Sequence, residues 1–92
     1  MIKTFKHKGL QDFFATGSTK GIQAIHANKL NLILTVLNKA RKIEHVNIPS
    51  FKLHQLKGDM KNLWSVTVQA NWQITFKFED EDVYIVDYQD YH

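Results

Sequence analysis

From Trp64 to Phe78 the apolar residues fall at every second position, and one two-residue break, Ala70-Asn71, divides the run. Trp64, Val66 and Val68 alternate with Ser65, Thr67 and Gln69. Trp72, Ile74, Phe76 and Phe78 alternate with Gln73, Thr75 and Lys77. Strand side chains point to opposite faces with a period of two. The stretch therefore predicts a hairpin with one apolar and one polar face. Val83 to Tyr88 is apolar at nearly every position, as in a strand inside a sheet. Before it, Glu79-Asp80-Glu81-Asp82 reads as an acidic turn, a solvated end that discourages edge pairing. Together these runs predict a three-stranded meander.

Upstream the period changes. Leu10, Phe13 and Phe14 predict a short helix over Leu10 to Ala15, with Gly17 suited to its C-cap. Ile22, Ile25, Lys29, Leu30, Ile33, Leu34, Leu37 and Ala40 form one stripe at three- and four-residue steps. They predict a long helix over Ile22 to Lys42, about five turns. Ile2 to Lys6 reads as a short strand that joins the meander, and Pro49 lies in a loop. The order is β-α-α-β-β-β. This is a single α+β domain over residues 1–92, a mostly antiparallel sheet with two N-terminal helices packed on one face. A chain of 92 residues supports one core.

Several classes are disfavoured. There is no cysteine, so disulfides and thiolate metal sites are excluded. No apolar run approaches the roughly 18 residues of a membrane span, and the N-terminus lacks a signal-peptide core. A cytoplasmic protein is expected, with no membrane partner. The five histidines show no recognisable metal-ligand spacing, so neither metal nor cofactor is expected. Charge is unevenly placed. Up to Asn62 the balance is +8, and from Leu63 onward it is −5. A basic surface for a polyanion beside an acidic patch is one reading, and two solvated faces of different charge is the other.

The apolar positions of the meander, Trp64 and Trp72 included, face the helices. Ser65, Thr67, Gln69, Gln73, Thr75 and Lys77 face away and make a polar surface. A basic loop from Lys52 to Lys61, with His54 and Lys57, precedes the first meander strand, and Asp90-Tyr91-His92 leaves the last. If both reach one sheet edge, His54, Lys57, Asp90, Tyr91 and His92 converge near Gln73. Such a set suits cleavage of a phosphodiester through the ribose 2′-hydroxyl. That reaction needs a base for the hydroxyl proton, an acid for the leaving 5′-oxygen, and cations for the charge of the transition state. Histidine serves as acid or base near neutral pH, and tyrosine stacks on a base. A histidine in a basic loop is more often merely solvated, and a terminal Tyr-His normally frays. The run of Tyr84, Tyr88 and Tyr91 toward the last residue points instead to a working C-terminal end.

Three segments carry a family resemblance: Lys52-Leu53-His54-Gln55-Leu56-Lys57-Gly58-Asp59, Trp64 to Val68, and Asn71-Trp72-Gln73-Ile74-Thr75-Phe76. With the opening Met1 to Leu10 and the ending Tyr88 to His92, they resemble the HigB group of RelE-type toxins. The resemblance implies the toxin of a bacterial type II toxin–antitoxin pair. It implies ribosome-dependent endoribonuclease activity on messenger RNA, by metal-free transphosphorylation to a 2′,3′-cyclic phosphate and a 5′-hydroxyl. The implied partners are a HigA-type helix-turn-helix antitoxin, the 70S ribosome with its mRNA, and operator DNA only through the antitoxin. Catalytic positions carried over are His54, Lys57, Gln73, Asp90, Tyr91 and His92. Asp90 or His54 accepts the proton, His92 protonates the leaving group, Lys57 neutralises phosphate and Tyr91 positions base or phosphate. Acid and base are interchangeable at this level. Lys6, Lys8 and Lys20 are implied RNA contacts.

One position departs from the family pattern. The resemblance expects Asn-Trp-Arg in the second meander strand, and this chain has Asn71-Trp72-Gln73. Glutamine keeps a donor but loses the charge and the two-pronged fork of a guanidinium. Removal of one such group typically slows a reaction by roughly 10²–10³. Two explanations fit: a naturally weak or inactive member, or an arginine replaced so that a lethal protein can be produced. The alternative function is a module that binds RNA, ribosome or antitoxin without cutting. The otherwise intact site favours replacement or compensation.

Overall fold

A computed structural model describes residues 1–58 and 62–90. Among them, helices α1 (Lys8–Thr16) and α2 (Ala27–Lys39) precede strands β1 (His54–Gln55), β2 (Leu63–Gln69), β3 (Trp72–Glu79) and β4 (Asp82–Asp90). The strands form one sheet in the order β1-β2-β3-β4, every pair antiparallel. The helices cover one face. Leu10 of α1 and Leu30, Ile33, Leu34 and Leu37 of α2 are buried against Val66, Ile74, Phe76, Val83 and Val86 of the sheet. The α+β architecture and the meander are those the alternation predicts.

Helix ends follow local hydrogen bonding. Gly17 closes α1 in the left-handed region (φ 80°), its N–H donating to Phe13 O at 2.8 Å. At the other end His7 is the N-cap, its Nδ1 accepting from the Leu10 N–H at 3.0 Å. The long helix is shorter than the stripe predicts. Residues Ala24–His26 form a 3₁₀ turn, and Ile25 is 79 % exposed, off the buried stripe. At its C-terminal end the Arg41 N–H donates to His45 Nδ1 instead of continuing the helix, and Ala40 is extended. Gly9 and Gly21 bring two backbone segments together. A Cβ at Gly21 would stand 2.5 Å from the Gly9 Cα, so neither position has room for a side chain.

The expected N-terminal strand is reduced to two isolated parallel bridges, Ile2 with Val83 and Phe5 with Val86. The cause lies in β4. Between Thr75 and Lys77 the β3–β4 register shifts, and Ile85 takes a left-handed backbone (φ 48°). One extra residue in β4 makes this a bulge. It lets Val83 and Val86, three apart, both face the helices, and it turns Ile85 to the other face at 43 % exposure. The Ile85 N–H donates to Thr4 Oγ1 at 2.8 Å instead of to a ladder carbonyl. A further difference is β1, a short strand within the basic loop, set by His54 opposite Ser65 and Gln55 opposite Trp64.

Candidate active site

Register determines what shares the face turned away from the helices. Opposed residues of antiparallel strands lie on the same face. His54, Ser65, Thr75 and Asp87 therefore form one row across β1 to β4, and Thr67, Gln73 and Gln89 form the next. Beyond β1 the chain brings Leu56 and Lys57 over this face, the Leu56 N–H donating to Leu63 O at 2.9 Å. On the opposite side the N-terminal arm brings Lys6, whose N–H donates to Val86 O at 2.9 Å. Between them lies a cavity of about 350 Å³. Gln73, Thr75, Asp87 and Gln89 are its polar lining, Leu56, Leu63 and Ile85 its apolar lining, and Lys6 and Lys57 its cations.

The polar lining is held by its own hydrogen bonds. Ser65, fully buried, donates through Oγ to Gln73 Oε1 at 2.5 Å. Gln89 Nε2 donates to Asp87 Oδ2 at 2.8 Å and to Thr75 Oγ1 at 3.2 Å. Asp87 Oδ1 accepts from the Tyr88 N–H at 2.9 Å. With Oε1 of Gln73 committed to Ser65, its amide group is the part able to donate to a ligand. His54 is exposed, and its Nδ1 lies 3.2 Å from Lys52 O. A carbonyl only accepts, so Nδ1 carries the proton. Nε2 of the neutral ring is then the proton acceptor.

The nine predicted site residues do not all meet. Gln73, Lys57 and Lys6 line one cavity, with His54 in the adjoining row of the same face. Asp90 does not join them. It is opposite Trp72, not Gln73, and lines a separate space of about 420 Å³ with His7, Lys20, Trp72 and Tyr88. Strand alternation is the reason, since Gln89 takes the position beside Gln73. Lys8 is on the exposed side of α1, 3.8 Å from Asp12. Tyr91 and His92 lie outside the described residues. Asp87, Gln89 and Ile85 were missed. Asp87 and Gln89 were findable, because alternation from Tyr88 puts both on the polar face.

A second cluster was also missed. His26 is 3 % exposed and belongs to a polar chain on the helix side. The Gln23 N–H donates to the Tyr88 hydroxyl at 3.3 Å. Tyr88 Oη stands 2.6 Å from His26 Nδ1, and His26 Nε2 stands 3.0 Å from Gln69 Oε1. Because Gln69 Oε1 only accepts, Nε2 carries the ring proton and Nδ1 accepts from Tyr88. Burial raises the Tyr88 pKa above its ordinary value, against the lowering effect of the Gln23 bond, and Asp90 raises it further. Tyr88 stacks on Trp72 with ring centroids 4.6 Å apart. Trp72 and Tyr88 thus serve the architecture under β4.

Known proteins resemble this chain in sequence and in fold. A family profile described as a RelE-like toxin of type II toxin-antitoxin system HigB matches residues 3–92. Endoribonuclease HigB of Proteus vulgaris is 48% identical over 92 residues, covering 100% of both chains. Among solved structures, a YafQ mutant from E. coli aligns with TM-score 0.64 and 17% identity over 98% of this chain and 91% of that one. A copper-bound mutant toxin from Helicobacter pylori aligns with TM-score 0.56 and 19% identity over 98% of this chain and 94% of its own. At those identities the two structures speak to the fold alone. No helix among the described residues is long and apolar enough to cross a membrane.

Proposed function

Since the chain belongs to the HigB-like toxins of type II toxin–antitoxin systems, we propose that it is an endoribonuclease that cuts messenger RNA on the 70S ribosome. Its neutralising partner in this reading is a HigA-type helix-turn-helix antitoxin, through which operator DNA is bound. The observation that carries the activity is the cavity that gathers Lys57, Lys6 and the Gln73 amide on one polar sheet face, in a chain 48% identical to a named endoribonuclease.

The chemistry is transphosphorylation. A base removes the 2′-hydroxyl proton, the 2′-oxygen attacks phosphorus, and the 5′-oxygen leaves with a proton from an acid. A 2′,3′-cyclic phosphate and a 5′-hydroxyl result. His54 Nε2 is the better-supported base, because its row partner Ser65 hydrogen-bonds Gln73 inside the cavity. Asp90 lines a different space, opposite Trp72 and beside Tyr88. His92 as acid and Tyr91 as a stacking or positioning group rest on the family resemblance. Lys57 and the Gln73 amide meet the phosphate.

Gln73→Arg provides the test. Purified chain is mixed with ribosomes programmed with a defined message, and the 5′ ends of the fragments are mapped. The substitution should raise the cleavage rate by roughly 10²–10³, the usual worth of a charged donor at such a transition state. Fragments should carry 5′-hydroxyl ends. If neither form cuts ribosome-bound message, the nuclease reading fails. Salt-sensitive ribosome binding without cleavage would then mark a binding module.

A further inference from the structure

We propose that Lys6 is a second phosphate-binding residue of the cavity, closing with Lys57 on the scissile phosphate and supplying the charge that Gln73 lacks. The inference rests on the nuclease reading for its substrate.

A phosphodiester carries one negative charge, and attack by a 2′-oxygen adds a second at phosphorus. Stabilising that state requires fixed positive charge already in place. Gln73 brings none, and its Oε1 is occupied by Ser65. The cavity also holds a carboxylate, Asp87, fixed by the Tyr88 N–H and the Gln89 amide. Against that carboxylate, Lys57 alone would leave the lining neutral. With Lys6 the lining carries +1.

Lys6 is positioned for this by backbone rather than by chance of a mobile side chain. Its N–H donates to Val86 O at 2.9 Å, and the preceding residue, Phe5, bridges Val86 in parallel. Two residues earlier, Thr4 takes the Ile85 amide. The arm is therefore tied to the bulge that turns Ile85 into the cavity wall, and Lys6 leaves it on the far side from Lys57. No ion pair joins Lys6 or Lys57 to another described residue. The other two lysines proposed to meet RNA differ. Lys8 pairs with Asp12, and Lys20 lines the space beside Asp90.

The experiment compares Lys6→Gln, Lys6→Arg and, at an exposed lysine outside the cavity, Lys42→Gln, each with Gln73 and with Gln73→Arg. Single-turnover cleavage on programmed ribosomes is one readout. The other is the salt dependence of binding to a single-stranded 2′-O-methyl RNA oligonucleotide, which cannot be cut. Lys6→Gln should slow cleavage roughly tenfold or more with Gln73, and by threefold or less with Gln73→Arg, because a guanidinium there relieves the need. Lys6→Arg should retain the rate, and Lys42→Gln should match the parent. The slope of log K against log salt should shrink by about 0.7 for Lys6→Gln alone. A Lys6→Gln protein indistinguishable from Lys42→Gln in both readouts overturns the proposal. So does a cleavage loss of equal size in both backgrounds. If no form cuts yet the slope still shrinks, the nuclease reading falls and the phosphate site stands.

Discussion

Removing one oxygen atom, in Tyr88→Phe, tests whether the chain of hydrogen bonds beneath β4 is worth what its geometry implies. The ring stays, so the stack on Trp72 at 4.6 Å is kept and no cavity opens. Two groups lose a partner: His26 Nδ1, bonded at 2.6 Å in a residue 3 % exposed, and the Gln23 N–H, bonded at 3.3 Å nearer the surface. A buried polar group left unsatisfied costs about 1–3 kcal/mol. The short buried bond belongs at the upper part of that range and the long one at the lower, so the sum is about 2–4 kcal/mol. In a domain of this size that lowers the thermal midpoint by roughly 10–25 °C. Urea titration followed by circular dichroism should show a lower midpoint with the slope unchanged. Alkaline pH gives an independent reading. Burial raises the Tyr88 pKa above 10.0, so the folded state holds the phenol proton more tightly than the unfolded state does. The contribution is complete below pH 10.0 and is lost as pH climbs through the raised folded value. Tyr88→Phe should flatten that limb of the stability profile. A change below about 0.5 kcal/mol, the usual scale of a surface substitution, with an unaltered alkaline limb, would refute the account of the network.

Two further substitutions test backbone features. Gly21→Ala sets a methyl 2.5 Å from the Gly9 Cα and should lower stability by about 1–3 kcal/mol, read as a lower urea midpoint. Ala70→Gly should do the reverse. Ala70 is exposed and left-handed at φ 52° in the β2–β3 connection, so relief of that conformation should raise the thermal midpoint by a few degrees, the equivalent of about 0.5–1 kcal/mol.

What was legible in the sequence, and what was not, divides along local and non-local causes. The faces of Trp72, Ile74 and Phe76 follow from alternation alone, and Leu30, Ile33, Leu34 and Leu37 from helical spacing, because each depends on residues a few positions away. Ile85 did not follow. A β-branched residue at positive φ runs against local preference, and it persists where Thr4, 81 positions away, takes its amide. That bulge in turn cut the expected N-terminal strand to two bridges. His26 falls outside the helical stripe, and its partners Tyr88 and Gln69 come from the sheet, 62 and 43 positions away. Asp90 is a different case. Its face was fixed by alternation with Tyr88, but assigning it to the Gln73 cavity required the β3–β4 register, which pairs Gln73 with Gln89. Sequence motif brought Lys57 and Gln73 together; the fold is what sets Lys6 and Asp87 in the same cavity.

The charge asymmetry acquires a spatial meaning once the register is known. Most of the acids after Leu63 are in Glu79 to Asp82, at the turn that joins β3 to β4. Gln73 and Gln89 pair near the opposite end of that hairpin. Gln73 and Glu79 are six residue steps apart along β3, about 20 Å at the usual rise. That is roughly two Debye lengths at physiological ionic strength, so the acidic turn is screened from a strand of RNA at the cavity. The turn has local cations as well. Asp82 lies 3.4 Å from the N-terminal amine, and Lys39 and Arg41 share a surface pocket with Asp80, Glu81 and Asp82. The potential at the cavity is therefore set by Lys6, Lys57 and Asp87, not by the chain's net charge of +3. Of the three, Asp87 alone opposes a phosphate, which makes the second lysine a requirement of the site's charge balance rather than an ornament of a basic surface.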